Sequence, residues 1–131
     1  MAKLVRSNPE SISKPFANYS HVVTVENAQK LVFCAGQVAA DVDGNVLPPD
    51  DFDAQTEVVM QNLASALEAG GATFADVTKI TIYIVNPQDV PKARGILQRY
   101  FSGKPPGSTL CILRGLAHPN FLLEVEAIAA V

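Results

Sequence analysis

The stretch DDFDAQTEVVMQNLASALEAGGATFADVTKITIYIVN, residues 50–86, decides the fold. Its first half reads as a helix. Val59, Leu63, Ala66 and Leu67 recur at i, i+4, i+7 and i+8 and make one apolar face. Asp51 or Asp53 can cap its start with a side-chain oxygen. Gly70 and Gly71 end it, one of them in the left-handed conformation that a helix C-terminus favours. The last eleven residues, Asp76 to Asn86, are dense in β-branched side chains and read as a strand of mixed polarity.

Working outward, a short strand is expected at Lys3 to Ser7. Residues 8–18 carry Pro9 and Pro15 and read as a surface loop. HVVTVEN, residues 21–27, alternates as a strand does. Asn27 to Lys30 makes a turn, and LVFCAGQVAAD, residues 31–41, is a further strand expected to pair with the preceding one as a hairpin. Gly36 inside that apolar run signals a bulge or a close approach. DGN, residues 43–45, is a turn. Downstream, Asp89 and Pro91 open a second helix. Val90, Ala93, Leu97 and Phe101 form its inward stripe, and Gly103 follows. STLCIL and FLLEVEAIAAV supply the closing strands. The order β, β, β, α, β, α, β, β points to an α+β class: a mixed sheet with two helices packed on one face, in a single domain over residues 1–131. The other sheet face, read as apolar, is then expected to be covered by further subunits.

Composition agrees with a globular chain: 48% hydrophobic and 18% charged. A chain of this length can bury a core unaided, and a mean hydropathy of +0.17 hints at apolar surface beyond what a monomer needs. The net charge is −3, and the ten Lys and Arg residues are scattered. Without a basic stripe, nucleic acid is not an expected partner. Cys34 and Cys111 lie in apolar runs with no metal-ligand spacing, so neither a zinc site nor a disulfide framework is expected. Two such thiols suit a reducing compartment. Met1 to Glu10 has no signal-peptide core, and no apolar run is long enough to span a bilayer. A cytoplasmic location is the expectation.

The chemistry-bearing residues are few. Gly70-Gly71 follows a helix, the wrong polarity for a phosphate cradle, and no G-x-S-x-G elbow occurs. His21 and His118 each stand without a partner of known role; a structural place suits them as well as a catalytic one. Cys111 is either a small hydrophobe in a strand or, given a neighbouring base or cation, a nucleophile. Glu124 and Glu126 are two apart in an otherwise almost wholly apolar strand and so share a face. Carboxylates there need partners or solvent. Either that face lines a solvated or subunit boundary, or one of them lines a cleft and orders water or an amine.

Four stretches carry a resemblance that spans nearly the whole chain: YSHVVTV at residues 19–25, VFCAGQVAAD at 32–41, AQTEVVMQNLASALEAGGATFADVTKITIYI at 54–84, and CILRGLAHPNFLLEVEAIA at 111–129. Together they resemble the RidA/YjgF family. The resemblance implies a chorismate-mutase-like mixed sheet, a homotrimer, and a small-molecule ligand in three inter-subunit clefts. It also implies cofactor-independent, metal-free hydrolysis of enamines and imines such as 2-aminoacrylate to 2-oxo acids and ammonia. In that family an arginine fork grips the substrate carboxylate and a glutamate positions water.

Carried over by position, Cys111 matches the family cysteine and Glu124 the water-positioning glutamate. Tyr19 matches the cleft-closing tyrosine, and Gly36 the glycine bordering the ligand. Gln88 stands near a site-lining amide. The arginine position holds Thr109, and nothing from Pro105 to Leu110 is basic. Arg114, five residues beyond Thr109, is expected on the opposite strand face unless a bulge at Gly115 redirects it. Two functions stay open: a deaminase-like hydrolase, or a non-catalytic binding trimer whose cleft is less charged and more apolar.

Overall fold

The computed structural model describes all residues, 1–131. Six strands and two helices form: β1 (Lys3–Ser7), β2 (Val22–Glu26), β3 (Leu31–Gln37), α1 (Phe52–Ala69), β4 (Val77–Ile84), α2 (Val90–Tyr100), β5 (Gly107–Ile112) and β6 (Leu123–Ala130). Four strands make one sheet in the order β3-β6-β4-β5. β4 and β5 are parallel, and β6 runs antiparallel to both β3 and β4. A parallel neighbour needs a crossover, and α2 supplies it. The expected α+β class, with a mixed sheet and two helices on one face, is what the chain adopts.

Local chemistry sets the helix ends. The Asp51 side chain accepts from the Ala54 N–H, and Gly71, at φ 82°, takes the left-handed position after α1. Val59, Leu63 and Leu67 are wholly buried, as their spacing predicts, while Ala66 of the same stripe is half-buried. α1 packs on β3 and β6, where Val32, Val125, Ala127 and Ala129 face it in the same core cluster. On α2, Ala93, Leu97 and Phe101 are buried with Ile96, while Val90 is half-buried.

Three expectations are corrected. β2 does not pair with β3. It pairs with β1 in a separate two-stranded ribbon, and β3 pairs with β6. Asn27 sits at φ 59°, and the Gln29 and Lys30 N–H groups both donate to the Val131 carbonyl, so the connection turns the chain onto β6 instead of back along β2. β3 also ends at Gln37 rather than Asp41, because the chain beyond it folds back on itself, with Ala40 bridging Val46; within β3 the register shifts between Cys34 and Gln37. That is the bulge Gly36 signalled. Finally, the sheet face away from the helices is not uniformly apolar. Leu31 and Phe33 are 54% and 70% exposed there, yet β4 adds Lys79, Thr81 and Tyr83, and β6 adds Glu124 and Glu126.

Gln55 fixes where β6 begins. Its side chain is wholly buried. Nε2 donates to the carbonyls of Pro48 and Asn120, and Oε1 accepts from the Leu122 N–H. Gln55→Leu leaves those backbone groups buried and unpaired. The expected cost is about 3 kcal/mol, read as a fall of roughly 10 °C in Tm by calorimetry. An unchanged melt would mean that the amide does not hold this loop.

Candidate functional site

On the open sheet face the register sets three rows. Tyr83 stands between Cys111 on β5 and Glu124 on β6; Thr81 stands between Thr109 and Glu126; Lys79 stands opposite Gly107. The two glutamates share this face, as their spacing predicts, but their surroundings differ. The Tyr83 hydroxyl donates to Glu126 Oε1 at 2.8 Å, and that bond with Glu126 is the main reason the Tyr83 phenol is pushed above its usual pKa. Glu126 is therefore occupied. Glu124 is half-buried and receives no hydrogen bond from the chain, so its oxygens are the ones left for a ligand or water.

Gly36 sets the place of Glu124. A Cβ at residue 36 would lie 2.1 Å from Glu124 Oε2 and 2.7 Å from its carboxyl carbon. Only a glycine lets the carboxylate rest over the β3 bulge. The two carried-over residues are thus one structural unit.

The other carried-over residues gather on the far side of β4. Thr109 is exposed and Cys111 half-buried; although both cysteines lie in apolar runs, only Cys34 is buried, and burial pushes its thiol up. β5 is an edge strand, which leaves one flank of Cys111 open. Ser20 bridges to Gly107, so Tyr19 lies along that same edge. Its ring meets His21 edge-on at 5.6 Å, and its hydroxyl accepts from the Phe16 N–H. Tyr19, His21, Lys79 and Thr109 share the wall of a cavity of about 380 Å³.

β4 separates the two groups within one chain. Strands lie about 4.8 Å apart, which puts Glu124 and Cys111 about 9–10 Å from each other across the sheet. Gln88 is exposed on the short turn Pro87–Asp89, just past the end of β4 that carries Tyr83. Arg114 lies beyond the end of β5, exposed and in no ion pair, and it does not line the cavity at Thr109. His118 is structural: Nδ1 accepts from the Asn120 N–H, and the ring packs on Phe121.

Lys79 is what the sequence reading missed. Its Nζ donates to Thr109 Oγ1 at 2.5 Å, so the position that lacks an arginine still meets a cation. The expectation of a less charged, more apolar cleft is corrected at this point. The available signal was period-two phase: Lys79, Thr81 and Tyr83 must share a face. No three His, Cys, Asp or Glu side chains gather as a metal site, and no helix is long and apolar enough to cross a membrane.

Fold and site define a two-layer α+β chain whose polar groups sit on the sheet face the helices leave open. A family profile described as Endoribonuclease L-PSP matches residues 10–131. A RutC family protein of Pyrococcus abyssi is 32% identical over 92% of this chain and 91% of its own. A conserved Rid-family protein of Yersinia pestis superposes with TM-score 0.85 at 30% identity, covering 99% of this chain and 98% of that one. A YjgF/YER057c/UK114 family member of Mycobacterium tuberculosis gives 0.67 at 26% identity over the whole of both chains. The chain belongs to the RidA/YjgF family.

Proposed function

We propose that this protein is a cofactor-independent, deaminase-like hydrolase of small enamines and imines, working in the cytoplasm in clefts between the subunits of a homotrimer. One observation carries the reading: Glu124 stands over the Gly36 bulge with no hydrogen-bond partner of its own, while Glu126 is held by Tyr83.

A carboxylate in that position can orient a water and take its proton. Water oxygen bonds to the carbon of a protonated C=N group, and the proton it gives up passes through Glu124 to the nitrogen. The resulting amino alcohol, protonated on nitrogen, gives its hydroxyl proton to Glu124 as its C–N bond breaks with the electron pair leaving on nitrogen, and Glu124 passes that proton to the departing ammonia. A carbonyl product and ammonium leave, and no electron is transferred.

Assembly follows from two features. Leu31 and Phe33 are exposed side by side on β3, and a patch of that kind favours a partner surface. The β3–β6 side carries Gly36 and Glu124, and the β5 edge carries Thr109, Cys111 and Tyr19. A ring of identical subunits can bring the first group of one chain against the second group of the next. The scattered basic residues and net charge of −3 do not support RNA as a substrate.

The test is light scattering followed by an ammonia-release assay with 2-aminoacrylate generated in situ by a dehydratase. The expected result is about three times 14.0 kDa and faster ammonia release with the protein than without it. A trimer that leaves the rate unchanged would make this a binding protein; a monomer would remove the cleft altogether.

A further inference from the structure

We propose that Lys79 and Thr109 form a small-anion seat, in which the Lys79 ammonium and the Thr109 hydroxyl together hold the carboxylate of the ligand. The proposal deepens the hydrolase reading and rests on it for the identity of the site, but not for the binding itself.

The geometry begins with register. The parallel pairing of β4 and β5 sets Lys79 opposite Gly107 and Thr81 opposite Thr109. Here Lys79 Cδ lies 3.6 Å from the point a Cβ at residue 107 would occupy. The stem therefore crosses the glycine and brings Nζ diagonally to Thr109 Oγ1. This is how a long cationic side chain packs its methylenes and presents its head.

The head lacks an anionic partner. The chain's ion pairs are Lys3–Glu26, Lys92–Asp53 and Arg99–Glu57. The carboxylate on the same face nearest in the β4–β6 register, Glu126, is engaged by Tyr83. Lys79 is nonetheless half-buried, and a half-buried ammonium gains from a counter-charge. It also lines two cavities of about 380 Å³ each, one toward Tyr19 and His21, the other toward Phe33 and Glu126.

Donor arithmetic makes this pair an anion seat. Thr109 Oγ1 accepts from Lys79, so its own proton points elsewhere and is free to be donated. An ammonium has three protons and spends one here. Two donors thus converge 2.5 Å apart, close to the spacing of the oxygens in one carboxylate. Unlike a guanidinium fork, an ammonium is a compact point charge that imposes no plane on its partner. The seat should therefore take a small 2-oxo or 2-imino carboxylate, and tolerate a non-planar anion such as inorganic phosphate better than a fork does.

The experiment is thermal melting of the full-length protein with pyruvate, its neutral amide pyruvamide, and inorganic phosphate, because binding to the native state alone raises the melting temperature. The wild type should be stabilised by pyruvate and phosphate but not by pyruvamide. Lys79→Met should weaken pyruvate binding by about 10- to 100-fold, the range of a lost charge-assisted hydrogen bond, and Thr109→Val by a smaller factor. Lys79→Arg should retain it, which separates a binding role from a structural one. Circular dichroism of each unliganded variant confirms that it folds. Equal stabilisation of wild type and Lys79→Met by pyruvate, stabilisation by pyruvamide as large as by pyruvate, or no stabilisation of the wild type by any anion would each overturn the seat. Glu124→Gln separates this from the hydrolase reading: it should keep the pyruvate effect while losing ammonia release. If it keeps ammonia release instead, Glu124 is not the group that moves the proton, and the seat stands; if the wild type releases no ammonia yet shows the pyruvate effect, the hydrolase reading fails and the seat stands.

Discussion

Glu124→Gln is expected to fold and assemble as the native chain does and to slow ammonia release by about 100- to 10,000-fold, the range of a lost general acid–base group. The substitution keeps the shape and removes the capacity to take a proton. Gly36→Ala provides an independent route to the same loss. Its added Cβ would stand 2.1 Å from Glu124 Oε2 and 2.8 Å from Glu124 Cγ, so the carboxylate must swing away. The displaced group is the end of a flexible side chain, and Gly36 is not at positive φ. The stability cost should therefore stay within about 1 kcal/mol, typical of a substitution outside the packed core. Activity should fall nearly as far as with Glu124→Gln. The pair thus predicts a split: two variants with near-native melts and little turnover. Native-like ammonia release from Gly36→Ala would show that the position of Glu124 over the bulge does not matter.

How much of this was legible in the chain depends on the range of the interaction that decides it. Features set within one turn or one strand could be read locally. An aspartate cap at Asp51 or Asp53, the apolar stripe Val59-Leu63-Ala66-Leu67, a bulge or close approach at Gly36 and the shared face of Glu124 and Glu126 all follow from side-chain chemistry and period, and the structure settles them on Asp51, on Val59, Leu63 and Leu67 as the wholly buried members, and on a bulge. Pairings made across the sheet could not. The alternation of residues 21–27 and 31–37 is equally compatible with a hairpin. What excludes it is the grip of Val131 on Gln29 and Lys30, a contact with the residue that follows β6.

The site shows the same divide. Sequence placed Thr109 where a cation was missing, and only the register between β4 and β5, thirty residues apart at the Lys79–Thr109 bond, shows which residue supplies one. Nothing local distinguishes Glu124 from Glu126 either. That distinction comes from Tyr83, forty-three residues before Glu126.

The proposed site is shared between subunits, with Glu124 contributed by one chain and the Lys79–Thr109 pair by its neighbour. The most direct measurement co-expresses Glu124→Gln and Lys79→Met chains under different affinity tags, purifies trimers bearing both tags, and assays ammonia release against each parent alone. A cyclic trimer that holds both kinds of chain, two of one and one of the other, has about one cleft in three that joins an intact Glu124 to an intact Lys79. Mixed trimers should therefore recover about a third of the native rate, far above either parent. Mixed trimers no more active than the average of the two parents would contradict the shared site, because a site lying within one chain gains nothing from a neighbour that carries the other defect.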